Sequence, residues 1–120
     1  MISLVEPQTG RILLHYLKVR STFFGRLRGF AFMVKPGSYS GMLFLDAGRV
    51  HTFGTLFCLD LYFFDQSLRL QDLRLCVPPN RCPSSPRGTR HILEVPHTGR
   101  SGLLPLSPGD QVSLLYHVQR

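Results

Sequence analysis

The sequence predicts a mostly β domain: a small barrel-like or strongly curved, antiparallel-rich sheet of about seven short strands with one or two short helical turns. Three observations lead there. Apolar residues come in short runs and do not recur at helical spacing over long windows. Gly and Pro interrupt nearly every gap between those runs, as turn formers do. That many strands in 120 residues would leave long unpaired edges unless the sheet curls back on itself.

The elements follow in order. Residues 12–19 form the first apolar run, and Ser21 or Thr22 then caps a brief helix through Phe23, Phe24 and Leu27, closed by Gly29. Pro36-Gly37 and Ser40-Gly41 mark a loop. Residues 42–45 and 49–53 read as two strands around a turn at Asp46-Ala47-Gly48. The central strand is 56–64, the most apolar stretch, rich in Phe and Leu and too short for a buried helix. Asp65-Gln66-Ser67 turns the chain back into a strand at 68–75. There Leu68 and Leu70 share one face while Leu73 and Leu75 fall on the other, so a β-bulge near Gln71-Asp72 is needed to restore the phase. Residues 78–88, with four prolines, cannot lie inside a sheet. Strands at 91–95 and 111–118 complete the set, the last entered through a type II turn at Ser107-Pro108-Gly109-Asp110.

Length and composition set the bounds. A chain of 120 residues is sized for one hydrophobic core, so residues 1–120 read as a single domain. With 43% hydrophobic and 18% charged residues, the body of the chain has enough apolar surface to fold rather than stay disordered. The net charge of +7 attracts anions, but the arginines are scattered and form no dense basic motif. Three cysteines, Cys58, Cys76 and Cys82, exclude a disulfide framework. Cys76 and Cys82 flank a proline-bearing loop and could close a small ring under oxidising conditions, yet a reduced, cytoplasmic setting is the simpler expectation. The N-terminus lacks the pattern of a secretory signal, and no segment is long enough to span a bilayer.

Several blocks resemble a known family. They are R-G-F-A-F-M at residues 28–33, G-M-L-F at 41–44 and V-H-T-F-G-T-L-F-C-L-D-L-Y-F-F-D at 50–65. In order and spacing they are similar to the signatures of the bacterial and archaeal domain-of-unknown-function family numbered 192. P-P-N-R at 78–81, L-E-V-P at 93–96 and S-P-G-D at 107–110 extend the likeness over about residues 22–115. The resemblance implies a compact, largely β fold and no established activity. Thr55 stands where the family pattern has Met and Cys58 where it has Pro; Phe30 and Phe32 alter the first block, and 97–105 lacks the usual small-residue, acidic helix.

Asp60 is the residue on which the chemistry turns. In a strand at 56–64, alternation puts Cys58, Asp60, Tyr62 and Phe64 on one face and Leu59, Leu61 and Phe63 on the other. A carboxylate among apolar neighbours needs a partner, and Arg81 or His51 is the candidate. The leading expectation is a non-catalytic binding or accessory module built on a polar cluster of His51, Asp60 and Arg81. Met42, His51, Thr52, Phe53, Asp60 and Arg81 are its candidate ligand-binding residues, for a small ligand or a protein partner. The enzymatic alternative uses His51 as general acid or base with Asp60 orienting it, although no nucleophile is evident.

Other chemistries fit less well. No metal site is expected, because the histidines and cysteines lack ligand spacing, and no cofactor is implied, because the glycines are dispersed singly. His15, His91, His97 and His117 read as ordinary surface or strand histidines. A basic barrel binding single-stranded nucleic acid through Phe53, Phe57, Tyr62, Phe63 and Phe64 is a second, less favoured alternative, since Phe-rich strands usually face a core.

Overall fold

The computed structural model describes residues 1–21 and 39–117, and eight strands lie among them. They are β1 (Ile2–Val5), β2 (Ile12–Leu14), β3 (Leu17–Arg20), β4 (Gly41–Phe44), β5 (Leu59–Phe64), β6 (Leu70–Val77), β7 (His91–Pro96) and β8 (Ser113–Tyr116). The expected mostly β class holds. The strands do not close a barrel: they divide into a three-stranded sheet, β2-β1-β8, and a five-stranded sheet, β3-β4-β7-β5-β6. All pairings are antiparallel except that of β3 with β4.

Two sheets form because the first apolar run breaks. Residues 12–19 do not make one strand. The chain turns a corner at Tyr16, whose φ of 55° is left-handed, and β2 and β3 then join different sheets. β1, which the sequence pattern did not single out, lies at the centre of the small sheet between β2 and β8.

The main core fills the space between the sheets, where Leu4 of β1 and Leu17 of β3 meet Leu43, Tyr62, Phe64, Leu70, Leu93 and Val95. A second cluster, Met42, Phe44, Leu59, Leu61, Phe63, Val77 and Ile92, covers the other face of the large sheet. Every residue of β5 is therefore buried, which explains its nearly unbroken apolar sequence. The expected alternation along it is observed, with Tyr62 and Phe64 in one cluster and Leu59, Leu61 and Phe63 in the other. Gly41 opens β4 at a point where a Cβ would lie 2.9 Å from Leu14 Cδ2 and 3.1 Å from the Glu94 carbonyl oxygen. The first residue of G-M-L-F is thus a packing requirement.

Local turn chemistry matches the sequence closely. Phe63 pairs with Asp72 and Phe64 with Leu70, so Gln71 is the extra residue of the expected bulge. Asp65 caps its turn by accepting the N–H groups of Ser67 and Arg69 at 2.8 and 3.0 Å. At the last turn Gly109 takes a φ of 99° and Asp110 N–H bonds the Ser107 carbonyl at 3.0 Å. One expected strand is absent: 49–53 forms no ladder, because its backbone bonds are drawn elsewhere. A 3-10 turn spans Arg100–Gly102. The helix expected over 21–29, the R-G-F-A-F-M block and the Pro36-Gly37 loop lie outside the described residues, apart from Ser21.

Candidate functional site

The site is built where β5, β6 and β7 end together. β5 begins after a loop at 51–58, β6 runs out into the proline-rich loop at 78–88, and β7 ends at Pro96 opposite Leu59. Asp60 stands at the centre with 1% of its surface exposed. A second bulge surrounds it. Leu59 pairs with Val77 and Leu61 with Arg74, so Leu75 and Cys76 together oppose Asp60, and Cys76 adopts a φ of 54°. A bulge leaves a backbone group outside the ladder, and here the Cys76 N–H donates to Asp60 Oδ1 at 2.8 Å.

The same oxygen lies 2.9 Å from His97 Nδ1. A carboxylate only accepts, so the imidazole carries its proton on Nδ1 and donates. His97 is held in place by its own N–H, which donates to the Cys58 carbonyl at 3.0 Å. The buried carboxylate is therefore paired, as its surroundings demand, but its partner is His97 and not Arg81 or His51. Its other oxygen, Oδ2, is buried without a hydrogen-bond partner among the described residues. Tyr62, next on this face, accepts the Leu104 N–H at 3.3 Å, and burial, with a smaller effect from the charge of Asp60, raises its phenol above the ordinary value.

Thr52 is the second centre and is wholly buried. Its N–H donates to the Arg81 carbonyl and its Oγ1 receives the Arg81 N–H, both at 2.8 Å. Oγ1 also donates to the Pro78 carbonyl at 2.8 Å, while the Thr52 carbonyl accepts from Asn80 N–H and from Thr55. These bonds tie the 51–56 loop to the 78–81 loop and explain why 49–53 is not a strand. The loop they fix displays Phe53, 52% exposed, and Leu56, 60% exposed. His51 stacks on Phe53 with ring centroids 5.2 Å apart, and its Nδ1 accepts the Phe53 N–H at 3.2 Å.

The six expected ligand residues thus separate. Met42 is fully buried in the second core cluster, Thr52 is an internal clamp, and Asp60 is a paired interior carboxylate. Phe53 and Arg81 are exposed and His51 is half-buried. The His51–Asp60 dyad is not assembled, since Asp60 Oδ1 is taken by His97 and Cys76 while His51 Nδ1 faces Phe53 N–H. The Arg81 guanidinium reaches the carbonyls of Pro79 and Asn80 at 3.4 Å. Of the aromatics considered for base stacking, Tyr62, Phe63 and Phe64 are buried and Phe57 is half-buried.

Sequence reasoning passed over His97 and Glu94. Nothing local marks His97, because its place beside Asp60 depends on the register between β5 and β7. Glu94 alternates with Leu93 and Val95 of the main core, so it faces the second cluster, where it is 3% exposed. Burial pushes its carboxyl up to about 8, which leaves the group mostly protonated at neutral pH. Its apolar neighbours in L-E-V-P were the available signal. Among the described residues no group of three or more His, Cys, Asp or Glu side chains is arranged to hold a metal ion.

The family model DUF192, described as Uncharacterized ACR, matches residues 5–114. The chain belongs to this family. Its DUF192 match begins before the blocks that carry the sequence likeness and takes in β2 and β3. No curated protein matches the chain. Two solved structures share the fold. One is a protein of unknown function from Novosphingobium aromaticivorans, with a TM-score of 0.74 and 21% identity, covering 93% of this chain and 82% of that one. The other, from Sinorhizobium meliloti, is named as a candidate transcription regulator and has a TM-score of 0.72 and 21% identity, covering 93% and 90%. At that identity the likeness places this DUF192 chain in a fold and assigns it no activity. No helix among the described residues is long and apolar enough to cross a membrane.

Proposed function

We propose that this domain is a non-catalytic binding or accessory module whose recognition surface is the 51–56 loop, with His51, Phe53, Leu56 and Arg81 as its contact residues. One observation carries the reading. Two large apolar side chains, Phe53 and Leu56, are more than half exposed on a loop whose base, Thr52, has no exposure and is hydrogen-bonded on every side. Exposed apolar groups on a rigid base bind with little loss of conformational entropy. Asp60 and His97 act beneath the loop as its foundation, joining β5, β6 and the end of β7.

Supporting this over catalysis is the chemistry of the two polar centres. Asp60 is closed off from solvent, and among the described residues no carboxylate is hydrogen-bonded to His51 to orient it as a general base, its Nδ1 accepting the Phe53 N–H instead. The test is a thermal-shift screen with defined amphiphilic small molecules, short apolar peptides and oligonucleotides. It compares the native chain with the double variant Phe53→Ser, Leu56→Ser. Both positions are exposed, so the variant keeps its Tm without ligand. The reading expects compounds that raise the Tm of the native chain and not of the variant. Compounds that shift both equally would place recognition elsewhere.

A further inference from the structure

We propose that the cleft between the 46–49 turn and the proline-rich loop is a binding site for a small phosphate monoester, with Arg49 as its counter-charge and Ser84 and Ser85 as hydroxyl donors. The cleft has a volume of about 420 Å³, within the range of small-molecule sites. Gly48 and Arg49 line it from the turn, and Ser84, Ser85, Gly88 and Thr89 line it from the loop. No residue of the 51–56 loop takes part, so the site is separate from the surface that Phe53 and Leu56 display.

Hydrogen bonds hold both sides of the cleft. The Ala47 N–H donates to the Arg90 carbonyl at 2.9 Å and Arg90 Nε donates to Asp46 Oδ1 at 2.8 Å, which fixes the turn against the start of β7. On the loop side Thr89 donates twice to the Pro86 carbonyl, through its N–H at 3.2 Å and its Oγ1 at 2.7 Å, and Gly88 takes the left-handed φ of 89° that this turn requires. Gln71 Nε2 donates to the Arg87 carbonyl at 3.4 Å and ties the loop to β6. Pro83 and Pro86 restrict the backbone between these anchors. A site fixed before binding loses little conformational entropy when a ligand enters.

The cleft holds donors that the fold does not use. Arg49 is exposed and makes no ion pair or hydrogen bond among the described residues. No Asp or Glu lines the cleft, and the carboxylate of the turn, Asp46, is engaged by Arg90. Ser85 Oγ is shut off from solvent and has no hydrogen-bond partner among the described residues. A hydroxyl in that position gives up no bond when it turns about χ1, and an oxyanion in the cleft supplies the acceptor it lacks. Ser84, exposed beside it, carries a second hydroxyl with no partner among the described residues. A guanidinium fork and two hydroxyls match the three terminal oxygens and the charge of about −1.5 to −2 of a phosphate monoester better than the single charge of a carboxylate. No Leu, Ile, Val or Phe lines the cleft, so the rest of the ligand is polar, as in a phosphorylated polyol or sugar. The net charge of +7 draws such an anion toward the chain.

The experiment titrates the full isotope-labelled chain with glycerol phosphate at constant ionic strength and follows its amide signals by NMR, with glycerate, a carboxylate of similar size, as the comparison. Expected are saturating shifts concentrated at Arg49, Ser84, Ser85 and Gly88, and binding of glycerate at least about fivefold weaker. Arg49→Gln is expected to weaken glycerol phosphate binding at least about tenfold and Ser85→Ala about threefold. The double variant Phe53→Ser, Leu56→Ser should bind it as the native chain does, which separates this site from the recognition loop. Shifts spread evenly over the surface arginines, equal binding of glycerate, full affinity in Arg49→Gln, or loss of binding in the double variant would overturn the proposal. Arg49 is exposed, so Arg49→Gln keeps the fold and decides the point if Ser85→Ala does not fold.

Discussion

Thr52 and Arg81 bond each other in both directions: the N–H of Thr52 donates to the Arg81 carbonyl at 2.8 Å, and the N–H of Arg81 donates to Thr52 Oγ1 at 2.8 Å. A threonine inside a V-H-T-F-G motif thereby replaces a strand neighbour, holding a proline-rich loop that has no ladder of its own.

Removing that hydroxyl while keeping the shape isolates its contribution. Thr52→Val leaves the Arg81 N–H and the Pro78 carbonyl without their partner in a buried position, and we predict a loss of about 2–3 kcal/mol. Thr52→Ser keeps the hydroxyl and should lose less than about 1 kcal/mol. Urea denaturation measures both. A smaller loss in Thr52→Val than in Thr52→Ser would mean that the methyl group, and not the hydrogen bonds, matters.

Glu94 makes stability fall as pH rises. Its native pKa of about 8 lies above the ordinary carboxyl value, so between pH 4.5 and 8 the unfolded chain has released a proton that the folded chain keeps. Over that window this group lowers stability by up to about 1.4 kcal/mol per pH unit, and above the native pKa the effect levels off. Glu94→Gln should lose this slope and gain stability relative to the native chain at pH 8. Parallel pH profiles of Tm for the two proteins would contradict the assignment.

Gly41 tests the close approach of β4 to its neighbours. A methyl group there meets Leu14 Cδ2 at 2.9 Å and the Glu94 carbonyl at 3.1 Å. Gly41→Ala is expected to cost about 1–3 kcal/mol through overpacking, read from the denaturation midpoint at constant m. A neutral result would mean that the Leu14 side chain yields freely.

These residues also mark where sequence reading succeeds. The Gln71 bulge, the Asp65 turn and the Ser107–Asp110 turn were legible because each is decided by a few adjacent residues. The two faces of β5 were legible for the same reason, and so was the need of Asp60 for a partner. The partner itself was not. His97 reaches Asp60 only through the pairing of Leu59 with Pro96, a register between strands far apart in the chain. Tyr16 hid the boundary between sheets, since a non-glycine residue gives little warning of a left-handed corner. The strand expected at 49–53 failed because its β-prone residues carry a threonine whose hydrogen bonds are all claimed by loops.

Whether His97 sustains the interior carboxylate is answered most directly by a double-mutant cycle with Asp60→Asn, His97→Gln and the combined variant, each unfolded in urea at neutral pH. His97→Gln alone should cost about 2–4 kcal/mol, much of it from leaving the buried carboxylate without its ring donor, and the two substitutions should couple by at least about 1 kcal/mol. Losses that simply add, within about 0.3 kcal/mol, would mean that the two side chains stand close without depending on each other, and the foundation described for the loop would be wrong.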